Sequence, residues 1–331
     1  MNVARLAILP ALPLISPLIL VTGAGGFVGR ALVDALAADG QPVRALSRSA
    51  SADLWNTPPV STVRAEVLDR HVLEQALDGV TAVVHLAGAL DGSPEHLRRI
   101  NVDLTATLAH ASRNAGVSLV VHCSSAGVYG DGDTWTPRTE LATPTPRTSY
   151  EQTKLDGERA LRDTLGDAVP WIILRPAGAY GAGRPATRAF YSQVARRRVW
   201  PHGPTTQLVH PTASEDVVSA IRSALDRPHL AGRVFNIGGE RALPFTDLIA
   251  LIARHWGRLL FQPRLPPITA RVARTLAAAG VAPTLMQRLA REVVNRTVDT
   301  GAARDALGFR PVQLDETVAG VVAILGRQVS Q

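Results

Sequence analysis

The chain has 331 residues, of which 46% are hydrophobic, 19% charged and 5% aromatic, and its formal net charge is +7. This balance indicates a globular, soluble protein with one large domain or two smaller ones. The positive residues are scattered and form no zinc-finger spacing or nucleic-acid-binding motif, so a nucleic-acid partner is not expected. Cys123 is the only cysteine, which excludes an internal disulfide and fits a reducing cytoplasm.

Residues 1–17 are predicted to form a loosely ordered N-terminal extension. The apolar run from Leu6 to Val21 superficially resembles a signal peptide, but it is short for a membrane span and has no small-residue cleavage site. Three prolines interrupt it as a helix, at Pro10, Pro13 and Pro17. We therefore expect no stable membrane insertion, and a weak contact with a membrane surface is the lesser alternative.

A glycine-rich turn follows the first predicted strand, Leu18–Val21. The turn reads T-G-A-G-G-F-V-G from Thr22, and apolar helical periodicity runs from Val28 to about Ala38. Strand, glycine turn and helix in this order predict a dinucleotide site, because glycines let backbone N–H groups approach a pyrophosphate at the helix N-terminus. The candidate cofactor-binding residues here are Gly23, Gly25, Gly26, Phe27 and Val28.

Strands and helices continue to alternate through the first half of the chain. The further predicted strands are 42–46, 62–67, 80–86, 117–122 and 169–174, and the further helices are 70–77, 94–115 and 150–165. Strands that are apolar on both faces, separated by helices, predict an α/β fold with a doubly wound, mostly parallel sheet. Ligands of such a sheet bind over the carboxyl ends of its strands.

The residues that end the second and third strands bear on the choice of cofactor. An acid after the second strand would bind the adenosine ribose and repel a 2′-phosphate, but this chain has Ser47 and Arg48 there. This favours NADP(H) over NAD(H); alternatively, Arg48 is a solvated loop residue. Glu66 and Val67 end the third predicted strand, where Glu66 can accept a hydrogen bond from the adenine amino group.

Small residues end the fourth predicted strand, where a dinucleotide would lie. These further cofactor-binding candidates are Leu86, Ala87 and Gly88. His85, just before them, is predicted to be a hydrogen-bonded core histidine and not a catalyst. Asn101, in the next helix, is either a buried polar anchor or a link to the lysine described next.

Lys154 is the only lysine in the chain, and it follows Tyr150 by four residues, which places both on one face of a helix. An ammonium is a compact point charge that can lie beside a phenol and bind a ribose, whereas arginine, the residue at all the other Lys/Arg positions of this chain, carries a wide planar guanidinium. A nearby cation favours the phenolate form of tyrosine. The pair therefore predicts a general acid–base at a carbinol oxygen, with a serine after the fifth strand hydrogen-bonded to the same oxygen.

These motifs resemble those of the extended short-chain dehydrogenases/reductases, the NAD-dependent epimerase/dehydratase superfamily. Residues 18–325 carry the patterns in the family's order. They are T-G-x-x-G-F-x-G at Thr22, S-S-x-x-V-Y-G at Ser124, Y-x-x-x-K at Tyr150, R-P-x-x-x-Y-G at Arg175, a V-H element at His210, N-I-G at Asn236 and L-G-F-x-P at Leu307. The resemblance implies a Rossmann-type fold with a smaller, mostly helical C-terminal substrate domain.

The resemblance also implies roles for individual residues. Tyr150 becomes the acid–base, Lys154 lowers its pKa and holds the nicotinamide ribose, and Ser125 orients the substrate oxygen, with Ser124 the less favoured serine. Pro176 and Ala179 become cofactor-binding residues. The family passes a hydride between nicotinamide and a carbinol carbon, so the cofactor supplies the redox chemistry and the protein supplies position and charge.

Two positions argue against particular members of that family. Sugar dehydratases carry Asp-Glu where this chain has Ala126 and Gly127, so dehydration is not expected. UDP-sugar epimerases usually carry an arginine just before the V-H element, which is absent from Thr205–Val209. Arginines that can substitute in binding a diphosphate are Arg184, Arg188, Arg288 and Arg291.

The C-terminal third contains Leu265-Pro266-Pro267, Ala270–Ala279, Pro283-Thr284-Leu285 and Val294–Asp299. These segments resemble the 3β-hydroxysteroid dehydrogenase and flavonol-reductase branch, whose members act on hydrophobic ketones and secondary alcohols. Helices predicted at 266–280 and 283–294 are apolar on one face, which either lines a pocket or packs the small domain. We expect a dinucleotide-binding domain of residues 18–175 with returning segments at about 209–239 and 298–325. Residues 176–208 and 240–297 form the expected substrate domain.

The expected activity is an NAD(P)-dependent oxidoreduction of a ketone or secondary alcohol, with a small-molecule substrate, no metal and the possibility of a homodimer. A nucleotide-sugar C4-epimerase with tightly bound NAD is the first alternative. A non-catalytic dinucleotide-binding scaffold or sensor is the second, although binding alone does not require the intact set of Ser125, Tyr150 and Lys154.

Overall fold

The computed structural model describes residues 17–48, 55, 58–64, 70–130, 136–196, 208–258, 272, 275–276, 279 and 297–329. The expectations for residues 1–16, Glu66 and Val67 lie outside these residues. So do Arg288, Arg291 and almost all of the helices predicted after residue 265.

The elements follow the predicted alternation of strands and helices. The strands are β1 (Leu18–Thr22), β2 (Val43–Ser47), β3 (Val60–Arg64), β4 (Val80–His85), β5 (Leu119–Cys123), β6 (Trp171–Pro176), β7 (Gly178–Tyr180), β8 (Leu208–Val209), β9 (Pro211–Ala213), β10 (Arg233–Ile237) and β11 (Leu243–Pro244). The helices are α1 (Phe27–Ala38), α2 (Arg70–Ala76), α3 (Pro94–Arg98), α4 (Leu104–Asn114), α5 (Ser149–Leu165), α6 (Pro185–Ala195), α7 (Ser214–Leu225), α8 (Phe245–His255) and α9 (Leu314–Val329).

Seven strands form one parallel sheet in the order β10-β6-β5-β4-β1-β2-β3. Helices cover both faces because the strands are apolar on both sides. Leu32 of α1 and Ile221 of α7 pack on one face, whereas Leu108 of α4 and Leu161 of α5 pack on the other. The predicted doubly wound, Rossmann-type α/β fold is confirmed.

The predicted helix 94–115 is divided in the structure. A π-helical turn, Arg99–Asp103, lies between α3 and α4. It brings the carbonyl oxygen of Asn101 against α5, where a Cβ at Gly157 would lie only 2.3 Å from that oxygen. π-Helical turns inside helices often mark functional positions, and this one faces the helix that carries Tyr150 and Lys154.

A second, smaller hydrophobic core lies among α6, α8 and α9. Its fully or nearly buried members include Tyr191, Val194, Leu248, Ile249, Ile252, Leu314, Val318, Val321 and Leu325. The chain between residues 297 and 311 packs on the main sheet through Ala303, Leu307 and Phe309. The C-terminal segment is therefore shared: its first part belongs to the main core and α9 belongs to the smaller one.

Candidate active site

A cavity of about 510 Å³, here called the main cleft, opens at the carboxyl edge of the parallel sheet. Its lining includes Gly23, Gly26, Phe27, Val28, Leu86, Gly88, Leu90, Cys123, Ser125, Gly127, Tyr150, Lys154, Pro176, Ala179 and Arg184. The three residues predicted to be catalytic and most of the predicted cofactor-binding residues thus face one space, although they come from five separate segments of the chain.

The glycine turn after β1 packs so closely that it excludes side chains. Gly23 has φ +69°, and a Cβ there would lie 2.6 Å from the backbone nitrogen of Ala87. Gly26 caps α1 without a side chain, and the first turn of α1 has no acidic residue. Unsatisfied N–H groups and the positive end of the helix dipole therefore face the main cleft, which suits the pyrophosphate of a dinucleotide.

Tyr150 and Lys154 lie in the first two turns of α5, which begins with a capping box. The Thr148 hydroxyl accepts a hydrogen bond from the Glu151 N–H, and the Glu151 carboxylate accepts one from the Thr148 N–H. This double cap fixes the start of the helix. The Lys154 ammonium, 5% exposed, donates to the Cys123 carbonyl oxygen at 2.8 Å, which ties α5 to the end of β5.

Ser125 is held in the turn that follows β5. Its Oγ accepts a hydrogen bond from the Gly127 N–H at 3.0 Å. A Cβ at Gly127 would lie 3.1 Å from the Ser125 oxygen and 3.9 Å from Cε1 of the Tyr150 ring. The hydroxyl and the phenol ring therefore flank the same small space in the main cleft, and the bare backbone of Gly127 keeps that space open.

The charge of Lys154 is set by two opposing effects. Burial is the largest effect and lowers the pKa of its ammonium, whereas the nearby Cys123 and Glu158 side chains raise it by smaller amounts. Burial also raises the pKa of the Cys123 thiol, so Cys123 is neutral and does not supply a balancing charge. Glu158 is thus the group that favours a protonated Lys154 inside the protein.

Glu158 is itself the centre of a buried polar network. Its carboxylate accepts hydrogen bonds from the Ser124 hydroxyl at 2.5 Å and from two nitrogens of the Arg175 guanidinium at 2.8 and 2.7 Å. Arg175 also donates to the Tyr129 hydroxyl, which donates to the Asn236 side-chain oxygen. Burial alone would lower the pKa of Arg175, but its bonds to Glu158 and the charge of that carboxylate raise it.

Three further polar side chains near Lys154 are also buried, and most of their polar atoms are hydrogen-bonded. Asn101 binds the backbone of Ala89 through both of its side-chain polar atoms and donates to the Thr153 hydroxyl, so it is a buried anchor for the loop after β4. His85 is hydrogen-bonded by Thr22 and Thr105, as expected of a core histidine. His122 stacks on His85 at 5.1 Å, and neither of its ring nitrogens has a partner among the described residues.

Among the residues that the structure describes, three predicted cofactor residues do not line the main cleft. Gly25 accepts a hydrogen bond from Arg30 through its carbonyl oxygen, and the N–H of Ala87 donates to the Thr22 hydroxyl. These two residues therefore help to fix the backbone of the turn and do not face the cleft. Arg48 is exposed just after β2. The turn lies beside that strand end, since the Ala24 N–H donates to the Leu46 carbonyl oxygen.

Known proteins resemble this chain in sequence and fold. Residues 19–238 match the model of the NAD dependent epimerase/dehydratase family. The chain belongs to this family. Its relatives include dehydrogenases and epimerases, so the chain is an enzyme of this family.

Individual relatives differ in how much of the chain they share. A 3 beta-hydroxysteroid dehydrogenase/Delta 5-->4-isomerase of Mycobacterium tuberculosis is 32% identical over 177 residues, which is 50% of this chain and 48% of that protein. A UDP-glucose 4-epimerase of Mycolicibacterium smegmatis is 32% identical over 326 residues, 92% of this chain and 96% of that protein. The chain spans about half the length of the first curated relatives it matches.

Among solved structures, MoeE5 in complex with UDP-glucuronic acid and NAD is 28% identical, with a TM-score of 0.74, and the match covers 94% of this chain and 99% of that one. No helix among the described residues is long and apolar enough to span a membrane.

The motif pattern of this epimerase/dehydratase family did not identify Glu158 as part of the site. A signal was present, since Tyr150, Lys154 and Glu158 recur every four residues and therefore share one face of α5. Because that face is buried, a carboxylate on it requires a buried donor. The donor is Arg175, the first residue of the R-P-x-x-x-Y-G motif. The sequence does not show in which direction its side chain points.

Proposed function

We propose that this enzyme is a nicotinamide-dependent oxidoreductase that interconverts a ketone and a secondary alcohol bearing an apolar group. The observation that carries the proposal is the convergence of Ser125, Tyr150 and Lys154 on the main cleft, beside a glycine turn that suits a dinucleotide. In the direction of reduction, the Tyr150 hydroxyl protonates the substrate oxygen, and the Ser125 hydroxyl hydrogen-bonds the same oxygen. When bound, the nicotinamide supplies the hydride.

Lys154 has two tasks in this scheme. Its positive charge stabilises the phenolate that Tyr150 becomes after giving up its proton. Its remaining N–H donors, beyond the one used on the Cys123 carbonyl oxygen, hold the ribose of the cofactor. The glycine turn, with Phe27 and Val28 at the start of α1, would hold the pyrophosphate, and Leu86, Gly88, Pro176 and Ala179 line the space that would take the rest of the cofactor.

The apolar character of the substrate is supported by a cavity beside the main cleft, lined largely by aromatic and aliphatic side chains. It is also supported by the relatives that match over half of the chain, which include 3β-hydroxysteroid dehydrogenases and a ceramide reductase of Caulobacter vibrioides. Their names refer to substrates with large apolar parts.

A nucleotide-sugar C4-epimerase is the second candidate. Two observations favour it: the match to a UDP-glucose 4-epimerase extends over nearly the whole chain, and Arg184 lines the main cleft, where its guanidinium can bind a diphosphate. Arg188 is exposed on α6 and is not part of the cleft lining.

NADP(H) is the cofactor we propose over NAD(H). Ser47 and the exposed Arg48 stand at the end of β2, where an acid would bind the adenosine ribose. Arg30, which bonds to the carbonyl oxygen of Gly25, adds a second positive charge at the glycine turn. Arg48→Ala should weaken NADP(H) binding about tenfold and leave NAD(H) binding unchanged, as one charge-assisted contact predicts. Equal losses for the two cofactors would contradict the preference.

We also propose that the chain divides into a dinucleotide-binding domain and a substrate domain. We further propose that it forms a homodimer through α4 and α5 and that it is located in the cytoplasm. The separate cores of the main sheet and of α6, α8 and α9 support the division. The single cysteine fits a reducing compartment.

The proposal is tested by following the consumption of NADPH and NADH with ketones of increasing apolar size, using Tyr150→Phe as the inactive control. Net consumption that requires Tyr150 supports oxidoreduction. Conversion of UDP-glucose to UDP-galactose without net consumption of nicotinamide would replace it with the epimerase.

A further inference from the structure

A second cavity, of about 290 Å³, adjoins the main cleft and is here called the side cavity. Both spaces are lined by Gly178, Ala179 and Arg184, so they meet at β7 and the loop before α6. Beyond this junction the side cavity lies against the smaller core. The rest of its lining includes Thr187, Phe190, Tyr191, Val209, Phe245 and Leu248.

Most of the side cavity's surface is apolar. Phe190 and Phe245 stack at 5.5 Å between ring centroids, and Val209 and Leu248 add aliphatic surface. An apolar cavity of about 150 Å³ holds one benzene molecule, so the side cavity has room for roughly two such rings or a chain of similar volume.

The polar side chains of this lining are nearly all engaged with the protein itself. His210 bonds to the Gly239 carbonyl oxygen and accepts from the Val298 N–H, and burial lowers its pKa, so it is neutral. The Tyr180 hydroxyl is paired with Thr317, and the Thr187 hydroxyl accepts from the Gly181 N–H.

Tyr191 is the exception. It is 2% exposed, and its hydroxyl has no hydrogen-bond partner among the described residues. Burial raises the pKa of this hydroxyl, so it is a neutral donor. Tyr191 lines the side cavity, and a buried hydroxyl without a partner is costly to the free protein, so a ligand acceptor that reached it would gain a favourable hydrogen bond.

We propose that the side cavity binds the apolar tail of the substrate, and that Tyr191 donates a hydrogen bond to an oxygen near the end of that tail. This inference rests on the proposed function, because it places the reacting carbonyl in the main cleft and the tail past Arg184. A nucleobase is the competing occupant, but its edge carries several polar atoms, and beyond Arg184 at the junction the described lining offers one unpaired side-chain hydroxyl to meet them.

Binding is measured without turnover, so that the result does not depend on catalysis. The probes are butan-2-one, decan-2-one, 10-hydroxydecan-2-one and UDP, each titrated calorimetrically into the full-length protein. Leu248→Phe narrows the side cavity, and Leu251→Phe is the matched control, since Leu251 lies on the same helix and lines a different surface.

Decan-2-one should bind at least tenfold more tightly than butan-2-one, and Leu248→Phe should remove that difference whereas Leu251→Phe should not. Tyr191→Phe should weaken only 10-hydroxydecan-2-one, by about tenfold, and should raise the Tm of the free protein.

Equal effects of the two phenylalanine variants, or binding of UDP that is lost in Leu248→Phe, would overturn the tail site. If the tail binds but no NAD(P)H is consumed, the tail site in the side cavity is supported and the proposed oxidoreduction is contradicted.

Discussion

The sheet edge and the helical side of the candidate active site differ in the kind of side chain that each contains. At the sheet edge, Lys154, Glu158 and Arg175 are buried, charged and bonded to one another or to the backbone. On the helical side, Phe190, Phe245 and Leu248 surround an apolar space with little polar chemistry. Paired buried charges hold reacting groups in one geometry, whereas an apolar wall discriminates by volume. Under the proposed function, the first region would set the reaction and the second would select the substrate.

The two regions also differ in what a mutation can change. A substitution at the sheet edge leaves a charge or donor without its partner, which affects both stability and chemistry. A substitution on the helical side changes shape, which affects affinity for particular substrates more than the rate of the chemical step. The predictions below use this difference.

Tyr150→Phe should have the largest effect. Removal of the phenolic proton donor should lower turnover by about 10²–10⁴-fold, the usual contribution of a general acid–base. Cofactor affinity should be nearly unchanged, because the ring and Lys154 remain. Steady-state kinetics and cofactor titration of the same preparation check both statements. Normal turnover would contradict the assignment.

Lys154→Arg should damage both turnover and cofactor affinity although the charge is kept. The planar guanidinium is too wide to occupy the buried position of the ammonium beside the Cys123 carbonyl oxygen. Unchanged affinity would show that Lys154 does not hold the ribose. Together with Tyr150→Phe, this variant separates proton transfer from cofactor binding at the sheet edge.

Glu158→Gln should destabilise the fold by about 3–5 kcal/mol, because Arg175 would lose its buried counter-charge. Ser124→Ala, which removes one hydrogen bond to the same carboxylate, is the control and should cost about 1 kcal/mol. Urea unfolding measures both. Similar costs for the two variants would mean that the ion pair does not contribute as a charge pair.

Acid should weaken the protein through its buried histidines. Burial, followed by the charge of Lys154, lowers the pKa of His85 to about 3, from 6.5 in the unfolded chain. Its contribution to stability is therefore complete above pH 6.5 and is lost as the pH falls through that value toward 3. Between pH 6.5 and 5, the protonation of His85 should lower the free energy of unfolding by about 2 kcal/mol. His122, whose pKa is also lowered by burial, should lower it further.

Asp216 works in the opposite direction. Burial raises the pKa of its carboxyl from 3.8 to about 6, so its protonation favours the folded state as the pH falls through 6. The histidine contribution is larger, and a net loss of unfolding free energy toward pH 5 is expected. His85→Asn should flatten that slope in urea unfolding at several pH values. An unchanged slope would contradict the assignment to His85.

Much of the sheet edge could be predicted from the sequence. Each of the six predicted strands contributes to the parallel sheet because short apolar runs bounded by turns are local signals, and the glycine turn has a spacing that depends on a few consecutive residues. The rule that the carboxyl ends of parallel strands meet at one edge accounts for the position of Ser125, which follows β5. Tyr150, in the first turn of α5, was predicted from its motif with Lys154.

The side cavity could not be predicted in the same way. Phe190 and Phe245 are far apart in the chain, and only the packing of α6 on α8 brings their rings together. The π-helical turn at Asn101 was also missed, because the apolar period of residues 94–115 is that of one continuous helix. Features that arise from how helices cross have no local sequence signal.

The most direct test of the central claim is to purify the protein without added nucleotide, denature it, and identify what it releases by mass spectrometry. An oxidoreductase exchanges its cofactor in each turnover, so we predict little or no bound nucleotide. One NAD released per chain would contradict this, because a retained cofactor is what an epimerase requires.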